Sequence, residues 1–216
     1  MKLRAGLAAL ALIATLAACS RVPGVYVYES SSGGQSAAAA FDPKTYVDGI
    51  WASKIVPTVH DNAVDVSTVA AAIADDPEAA GKQYGKQSGT GSPYAFMVKG
   101  TGTVTKVDTE AATGPVTVEV PATGKAKAVK LSIATGPVIA GTALRDAVGF
   151  ISFGDFTNQI AYADVANQIN NRVKTDVTGK LDVKELTGKK VTFYGAFSAL
   201  TPGSIFVVPT EFEVAP

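Results

Sequence analysis

The residues best suited to chemistry in this sequence are concentrated in positions 136–177. Arg145 and Asp146 are adjacent there on a short predicted helix, where neighbouring side chains point in different directions, so we expect no ion pair between them. The Arg145 guanidinium can bind a ligand carboxylate with two hydrogen bonds, and Asp146 can brace a loop. The structural alternative is that Arg145 is buried and fastens the long insertion at 136–157 to the fold, with loop carbonyls or the Asp155 carboxylate as acceptors.

Amide side chains and one tryptophan are further binding candidates. Asn158 and Gln159 lie near the start of a predicted helix, and amides both donate and accept hydrogen bonds, as recognition of sugar hydroxyls requires. Trp51, the only tryptophan, can stack on a sugar ring, but it also lies on the apolar stripe of a predicted helix, which favours the core. Solvation on a helix face is the alternative for all the amides, including the later group of Asn167, Gln168, Asn170 and Asn171.

The titratable residues form no recognisable catalytic or metal-binding pattern. His60 is the only histidine and no G-x-S-x-G turn occurs, so we interpret His60 as a loop residue. With one histidine and one cysteine, a zinc site is not expected. The acidic group Asp75, Asp76 and Glu78 fits helix capping better than calcium binding. We therefore predict a protein that is not an enzyme and that uses no metal or cofactor.

Residues 1–18 have the features of a lipoprotein signal peptide. Lys2 and Arg4 precede an apolar run that is too short to span a bilayer, since a spanning helix needs about 20 residues. The run ends in the pattern LAAC, and its Cys19 is the only cysteine in the chain. We predict that acyl chains on Cys19, palmitate among them, hold the protein on a membrane. The alternative is an ordinary signal peptide that leaves a free thiol.

Residues 19–40 are predicted to be a lipidated flexible tether. The stretch SSSGGQSAAAA is low in complexity and rich in small residues. Ser20 follows the cysteine. In Gram-negative lipoproteins, whose signal this segment resembles, a residue other than aspartate at that position favours the outer membrane, so we expect that location with the protein facing the periplasm. The chain has 19 basic and 19 acidic residues, so the clustered positive charge that nucleic acid requires is not expected.

Residues 41–216 are long enough for a single domain, and its first part has helical patterns. Aspartate followed by proline predicts a helix start at positions 42 and 76, because aspartate caps the N-terminus and proline suits the first turn. Asp65 can cap another helix between these two. Pro57 is expected to end the first helix, and Gly85 the third.

From Tyr94 onward the apolar period changes from helical to two, which predicts β-strands. The first is long, and Gly100 and Gly102 are expected to bend or bulge it. Alternating apolar residues, among them Val116, Val118 and Val120, predict four more strands near 116–120, 129–133, 191–193 and 205–214.

A helix separates the third and fourth predicted strands, and its apolar stripe contains Tyr162, Val165, Ile169, Val173 and Val177. Gly195 is expected to close the fourth strand and Pro209 to interrupt the fifth. Three strands, a helix and two strands is the order of an OB-fold, a five-stranded Greek-key barrel. We therefore predict an α+β, mainly β fold: an OB-fold-like barrel with an N-terminal helical segment. An antiparallel β-sandwich with attached helices is the alternative.

Five stretches of the chain resemble one known family: FDPKTYVDGIWASKIVP, AAGKQYG, VKGTGTV, GPVIAGTALRDAVGFISFGDFTNQIAYADVANQIN and GKKVTFYGAF. They are similar to the predicted periplasmic lipoproteins grouped as domain of unknown function 2291. The resemblance implies a bacterial envelope lipoprotein of unassigned biochemistry. It also implies an association with sugar ABC transporters of the ribose type, since such proteins are often encoded beside them. It transfers no catalytic residue, because the family has none assigned.

We therefore expect a non-enzymatic binding or accessory lipoprotein of the cell envelope, linked to a sugar ABC transporter. Its expected partners are the membrane through Cys19 and either transporter components or a small carbohydrate, but not nucleic acid. The alternative function is a structural or protein-interaction module of the envelope. The ligand-binding candidates are Arg145, Asp146, Asn158, Gln159 and Trp51.

Overall fold

A computed structural model describes residues 41–124 and 126–215. The predicted signal peptide, Cys19 and the predicted tether lie outside these residues. Within the described part of the chain, no helix combines the length and the apolar character needed to span a bilayer.

Helices precede the strands and also separate them. The elements run, in chain order, α1 (Pro43–Ile50), α2 (Val56–Asn62), β1 (Val64–Asp65), α3 (Val66–Asp75), α4 (Pro77–Tyr84), β2 (Gly85–Lys86), β3 (Ala95–Val107), β4 (Val116–Val120), β5 (Val129–Ile133), α5 (Ala143–Ala147), α6 (Gln159–Arg172), β6 (Lys190–Ser198) and β7 (Phe206–Val214). The side chains of Asp42, Asp65 and Asp76 accept hydrogen bonds from backbone N–H groups at the starts of α1, α3 and α4. These three predicted helix starts are confirmed, as is the end of α4 at Gly85.

The expectation that Pro57 ends the first helix is wrong. After α1 the chain forms a π-helical turn at Trp51–Ile55, where the Val56 N–H donates to the Trp51 carbonyl five residues earlier. Proline lacks an N–H and crowds the carbonyl four residues before it. The wider π-turn just ahead of Pro57 accommodates both effects, so the chain stays helical into α2.

Five strands close into a ring in the order β3-β4-β5-β7-β6, with β6 returning to β3. All neighbours are antiparallel except β5 and β7, which are parallel over two residue pairs. The ring has the five strands predicted for an OB-fold, and α6 lies between β5 and β6 as expected. The sandwich alternative is wrong, because all named strands of the described residues belong to one sheet. The short strands β1 and β2, which were not predicted, pair with β3 outside the ring.

The bulge in β3 differs in position from the predicted one. The register shift lies between Val104 and Lys106, not at Gly100 or Gly102. Gly102 permits close packing instead, since a Cβ there would lie 2.5 Å from the Glu119 carbonyl oxygen. A glycine in a strand therefore marks close backbone approach here rather than an extra residue.

Strand β6 does not end at Gly195, and β7 is not interrupted at Pro209. The two residues pair with each other beside a register shift, and both strands continue beyond it. A Cβ at position 195 would lie 2.4 Å from the Val208 carbonyl oxygen, so glycine is needed for this approach. Glycine and proline thus mark an irregularity that the two strands share, not strand ends.

Buried apolar side chains form two groups on the two faces of the sheet. Inside the ring, Val116, Val118 and Val120 are buried while Glu119 is exposed, which confirms the predicted orientation of β4. The second group fills the space between the outer face of the ring and the helices α1, α2, α5 and α6. The predicted stripe runs from α6 into a π-helical turn at Val173–Val177 and contributes to this group, with Val177 only partly buried.

Candidate functional site

The Arg145–Asp146 motif lies on α5, the short helix in the insertion between β5 and α6. The expectation that the two side chains do not pair is wrong. The Arg145 Nε and Nη2 groups both donate to Oδ1 of Asp146, at 2.9 Å and 2.8 Å. The side chains are only 8% and 10% exposed. A buried charge without a partner is costly, and this cost explains why two neighbours that diverge on an ideal helix turn towards each other here.

Tyr162 of α6 completes the surroundings of Arg145. The guanidinium lies over the Tyr162 ring, 3.6 Å from its centroid, and Nη1 donates to the Tyr162 carbonyl oxygen at 3.2 Å. Burial raises the pKa of the Tyr162 phenol above its ordinary value, Arg145 opposes this, and the Asp146 carboxylate adds to it. The hydroxyl is buried without a hydrogen-bond partner among the described residues, although Asp146 and Ser88 lie close enough to influence its pKa.

The second oxygen of the Asp146 carboxylate, Oδ2, accepts a hydrogen bond from the Thr142 hydroxyl at 2.6 Å. Asp155, one of the acceptors expected for Arg145, accepts instead from the Ser152 N–H at 2.9 Å, within a short 3-10 turn. The buried polar cluster of Thr142, Arg145, Asp146 and Tyr162 therefore joins α5 to α6. Its enclosure and internal pairing favour the structural interpretation of Arg145.

The insertion is fastened a second time by Asn170. This side chain of α6 is buried, and its Nδ2 donates to the Gly141 carbonyl oxygen at 2.9 Å. The expected solvation of the late amides is therefore wrong for Asn170, whereas Asn167 and Asn171 are exposed. One amide of the group holds the chain just before α5 in place.

The three remaining binding candidates do not join the buried polar cluster. Asn158 is the N-cap of α6, where its side chain accepts from the Ala161 N–H at 2.8 Å. Gln159 is exposed on the first turn of the same helix. Trp51 is buried among the helices, so its faces are in contact with protein. The structure thus does not bring the five candidates into one open site.

A polar cleft lies on the outer face of β3 and β6, beside the start of α3 and the segment that follows β4. Lys99 is the cross-strand neighbour of Tyr194, and Thr101 is the neighbour of Thr192. The cleft has a volume of about 370 Å³ and presents the side chains of Asp65, Lys99, Thr101, Lys190, Thr192 and Tyr194. Gly100, Val120, Pro121 and Thr123 complete its walls, so polar and apolar groups both contribute to its surface.

His60 packs beside this polar cleft. Its ring stacks on Tyr194 with a centroid separation of 4.4 Å and an interplanar angle of 8°. The Nδ1 atom lies 2.9 Å from Oε1 of Glu211, and the Lys99 ammonium lies 5.9 Å from the Tyr194 ring centroid. The interpretation of His60 as a loop residue is wrong, because it lies in the last turn of α2.

The residues of the polar cleft were not predicted as a site, although the sequence carries part of the signal. Lys99 and Thr101 alternate with inward-facing residues of β3, and Thr192 and Tyr194 do the same in β6. The alternation marks an outward polar face on each strand. It does not show that β3 and β6 are neighbours, which depends on closure of the ring.

A larger apolar groove, of about 640 Å³, lies between α3, the start of β5 and the connection from β6 to β7. Its side chains include Ile73, Val129, Leu200 and Ile205. Because it offers few polar groups, its size does not make it a carbohydrate site. Among the described residues, no group of three or more His, Cys, Asp or Glu side chains is placed to hold a metal ion.

The ring and its helices place the chain among proteins with the OB-fold. A crystal structure of an OB-fold protein from Thermotoga maritima matches it with a TM-score of 0.65 at 23% sequence identity, covering 81% of this chain and 99% of that chain. A family model described as predicted periplasmic lipoprotein, DUF2291, matches residues 9–213. The chain belongs to this family, which supports an envelope lipoprotein. A search of curated proteins gave no match.

Proposed function

We propose that the protein is a lipid-anchored, non-enzymatic accessory protein that faces the periplasm and binds a small carbohydrate for a sugar ABC transporter. The observation that carries this proposal is the polar cleft on β3 and β6. The LAAC pattern ending at Cys19 supports the lipid anchor, and Ser20 after it supports the outer membrane. Family membership supports the envelope location.

The polar cleft has the donors and acceptors that a polyhydroxylated ligand needs. The hydroxyls of Thr101 and Thr192 lie 3.0 Å apart, and each can donate or accept. Lys99 and Lys190 form no ion pair with a described residue, so their ammonium groups can bind ligand oxygens. The volume of about 370 Å³ suits a monosaccharide better than an oligosaccharide. The Asp65 carboxylate accepts from the Ser67 N–H and is occupied as a helix cap.

Sugar-induced stabilisation tests this proposal. The chain from Ser20 onward is melted with a panel of aldoses, D-ribose included, and with the matching aldonates. A ligand at a hundredfold excess over its Kd adds about 2.7 kcal/mol of stability, which corresponds to a rise in Tm of roughly 5–10 °C for a protein of this size. We expect such a rise with at least one member of the panel, and its loss in the double variant Lys99→Gln/Lys190→Gln.

The matched control is Lys180→Gln/Lys184→Gln, which removes two exposed lysines outside the polar cleft. It should respond to the sugar like the parent. A panel without effect, or an equal loss of response in both double variants, would contradict a carbohydrate site in the cleft.

The second candidate function is a protein-interaction module of the envelope, and the apolar groove favours it. Strand β5 pairs with β7 only at Ser132 and Ile133, so Val129–Leu131 have no strand partner on that side among the described residues. An extended apolar segment of a partner protein could pair with this edge and fill the groove. A partner captured by the parent but not by Leu200→Asp, together with an inactive sugar panel, would favour this second function.

A further inference from the structure

Aromatic side chains form an exposed surface where the described chain begins. Phe41 and Phe153 are 39% and 51% exposed. They are linked through Phe156 and Tyr162, with ring centroids 5.3 to 5.7 Å apart along the series. Tyr46 also contacts Phe41 and Phe156. We call the surface made by Phe41, Tyr46, Phe153 and Phe156 the aromatic patch, and the buried Tyr162 ring packs against it.

Phe150 extends this surface. It is 37% exposed, and it borders the same shallow hollow as Tyr46 of α1. A continuous surface with three exposed phenylalanines is unusual for a part of a protein that only contacts water, and such surfaces mark contact with another apolar phase.

The position of the aromatic patch in the chain indicates what that phase is. Phe41 is the first residue of the domain reached from the predicted lipidation site, because residues 20–40 connect it to Cys19. Phenylalanine is among the side chains that membrane-surface segments bury at the boundary between headgroups and acyl chains. We propose that the aromatic patch rests on the bilayer surface and forms a second, weak membrane contact beside the lipid anchor. This proposal relies on the proposed anchor for one point only, namely that the apolar phase in contact with the patch is a membrane.

The charges near the aromatic patch predict how this contact behaves. The carboxylates of Asp42 and Asp155 flank the patch and accept backbone N–H bonds, and Lys44 pairs with Asp48. Lys54 borders the hollow that Tyr46 and Phe150 share. Charges of both signs therefore surround the patch, with no excess of positive charge to attract anionic lipid. Binding through the apolar side chains should not be stronger for anionic than for zwitterionic vesicles, and salt should not weaken it.

Vesicle co-sedimentation of a chain that cannot be lipidated tests the proposal. The chain from Ser20 onward is mixed with vesicles of phosphatidylcholine, and separately with vesicles that also contain phosphatidylglycerol. We expect weak binding to both, and no stronger binding when phosphatidylglycerol is present. The double variant Phe41→Ser/Phe153→Ser should bind about tenfold less, because two phenylalanines no longer leave water.

The matched control is Val138→Ser/Val214→Ser, which replaces two exposed apolar residues that are neither in the aromatic patch nor in the apolar groove. It should bind like the parent, and unchanged melting of both double variants verifies that the fold is retained. Absence of vesicle binding, or equal loss in both variants, would overturn the proposal. Capture of a protein by the patch without any lipid binding would overturn it as well. Because the chain lacks Cys19, none of these outcomes depends on whether the anchor exists.

Discussion

Replacing Val118 with aspartate is expected to destabilise the protein by at least about 4 kcal/mol, because the substitution buries an unpaired carboxylate inside the ring of strands. Val118 is wholly buried and lies opposite Val104 of β3 and Leu131 of β5. A domain of this kind has a total stability of roughly 5–15 kcal/mol, so little folded protein should remain on mild heating. The urea midpoint, or the melting temperature, measures the effect.

Two further variants on β4 separate the stability cost of the buried charge from the cost of lost packing. Val118→Ala removes volume without adding charge, and it should cost about 1–3 kcal/mol. Glu119→Ala alters the neighbouring exposed residue, and it should change stability by less than about 0.5 kcal/mol. An aspartate variant that melts within a degree or two of the parent would show that position 118 is not in the core.

Replacing Arg145 with methionine is expected to cost about 3–5 kcal/mol, because the Asp146 carboxylate then remains buried without its partner. The loss is not one of volume, since methionine fills much of the arginine stem's space. The urea midpoint should therefore fall while the m-value stays unchanged. An unchanged midpoint would contradict the structural role and would return Arg145 to the list of ligand-binding residues.

Two further variants test the origin of this cost. Arg145→Met/Asp146→Leu removes both charges, and it should recover much of the stability that the single variant loses. Arg172→Met removes an arginine whose side chain is 35% exposed and pairs with Asp48 and Asp176. Since partly exposed pairs contribute little, it should cost less than about 1 kcal/mol.

Short sequence patterns predicted much of the fold, because helix starts and the alternation of strand residues depend mainly on neighbouring residues. Aspartate caps three of the helices with its own side chain, and a cap needs only the next two or three backbone N–H groups. The alternation of Val116, Val118 and Val120 follows from one strand having an inner and an outer face.

The predictions that failed concern contacts between distant segments. Gly195 and Pro209 were expected to stop strands, but pairing between β6 and β7 carries both strands through an irregularity. Arg145 and Asp146 diverge on an isolated helix, whereas burial against Tyr162 makes their pairing the less costly arrangement.

The polar cleft also depends on contacts between distant segments, so sequence patterns did not predict it. His60 stacks on Tyr194 and reaches Glu211, which is 151 positions later in the chain. Nothing near His60 in the sequence indicates these neighbours, because they are brought together only when β6 and β7 join the ring. Sequence patterns placed two of the five binding candidates, Arg145 and Asp146, on the insertion instead, where the structure shows a buried polar cluster.

We propose that this member of a predicted periplasmic lipoprotein family is anchored through Cys19. The most direct test is to express the full chain and the Cys19→Ser variant in a bacterium that is supplied with labelled palmitate. The parent should incorporate the label and partition with membranes, while the variant should incorporate none. Equal labelling of both chains, or labelling of neither, would contradict it.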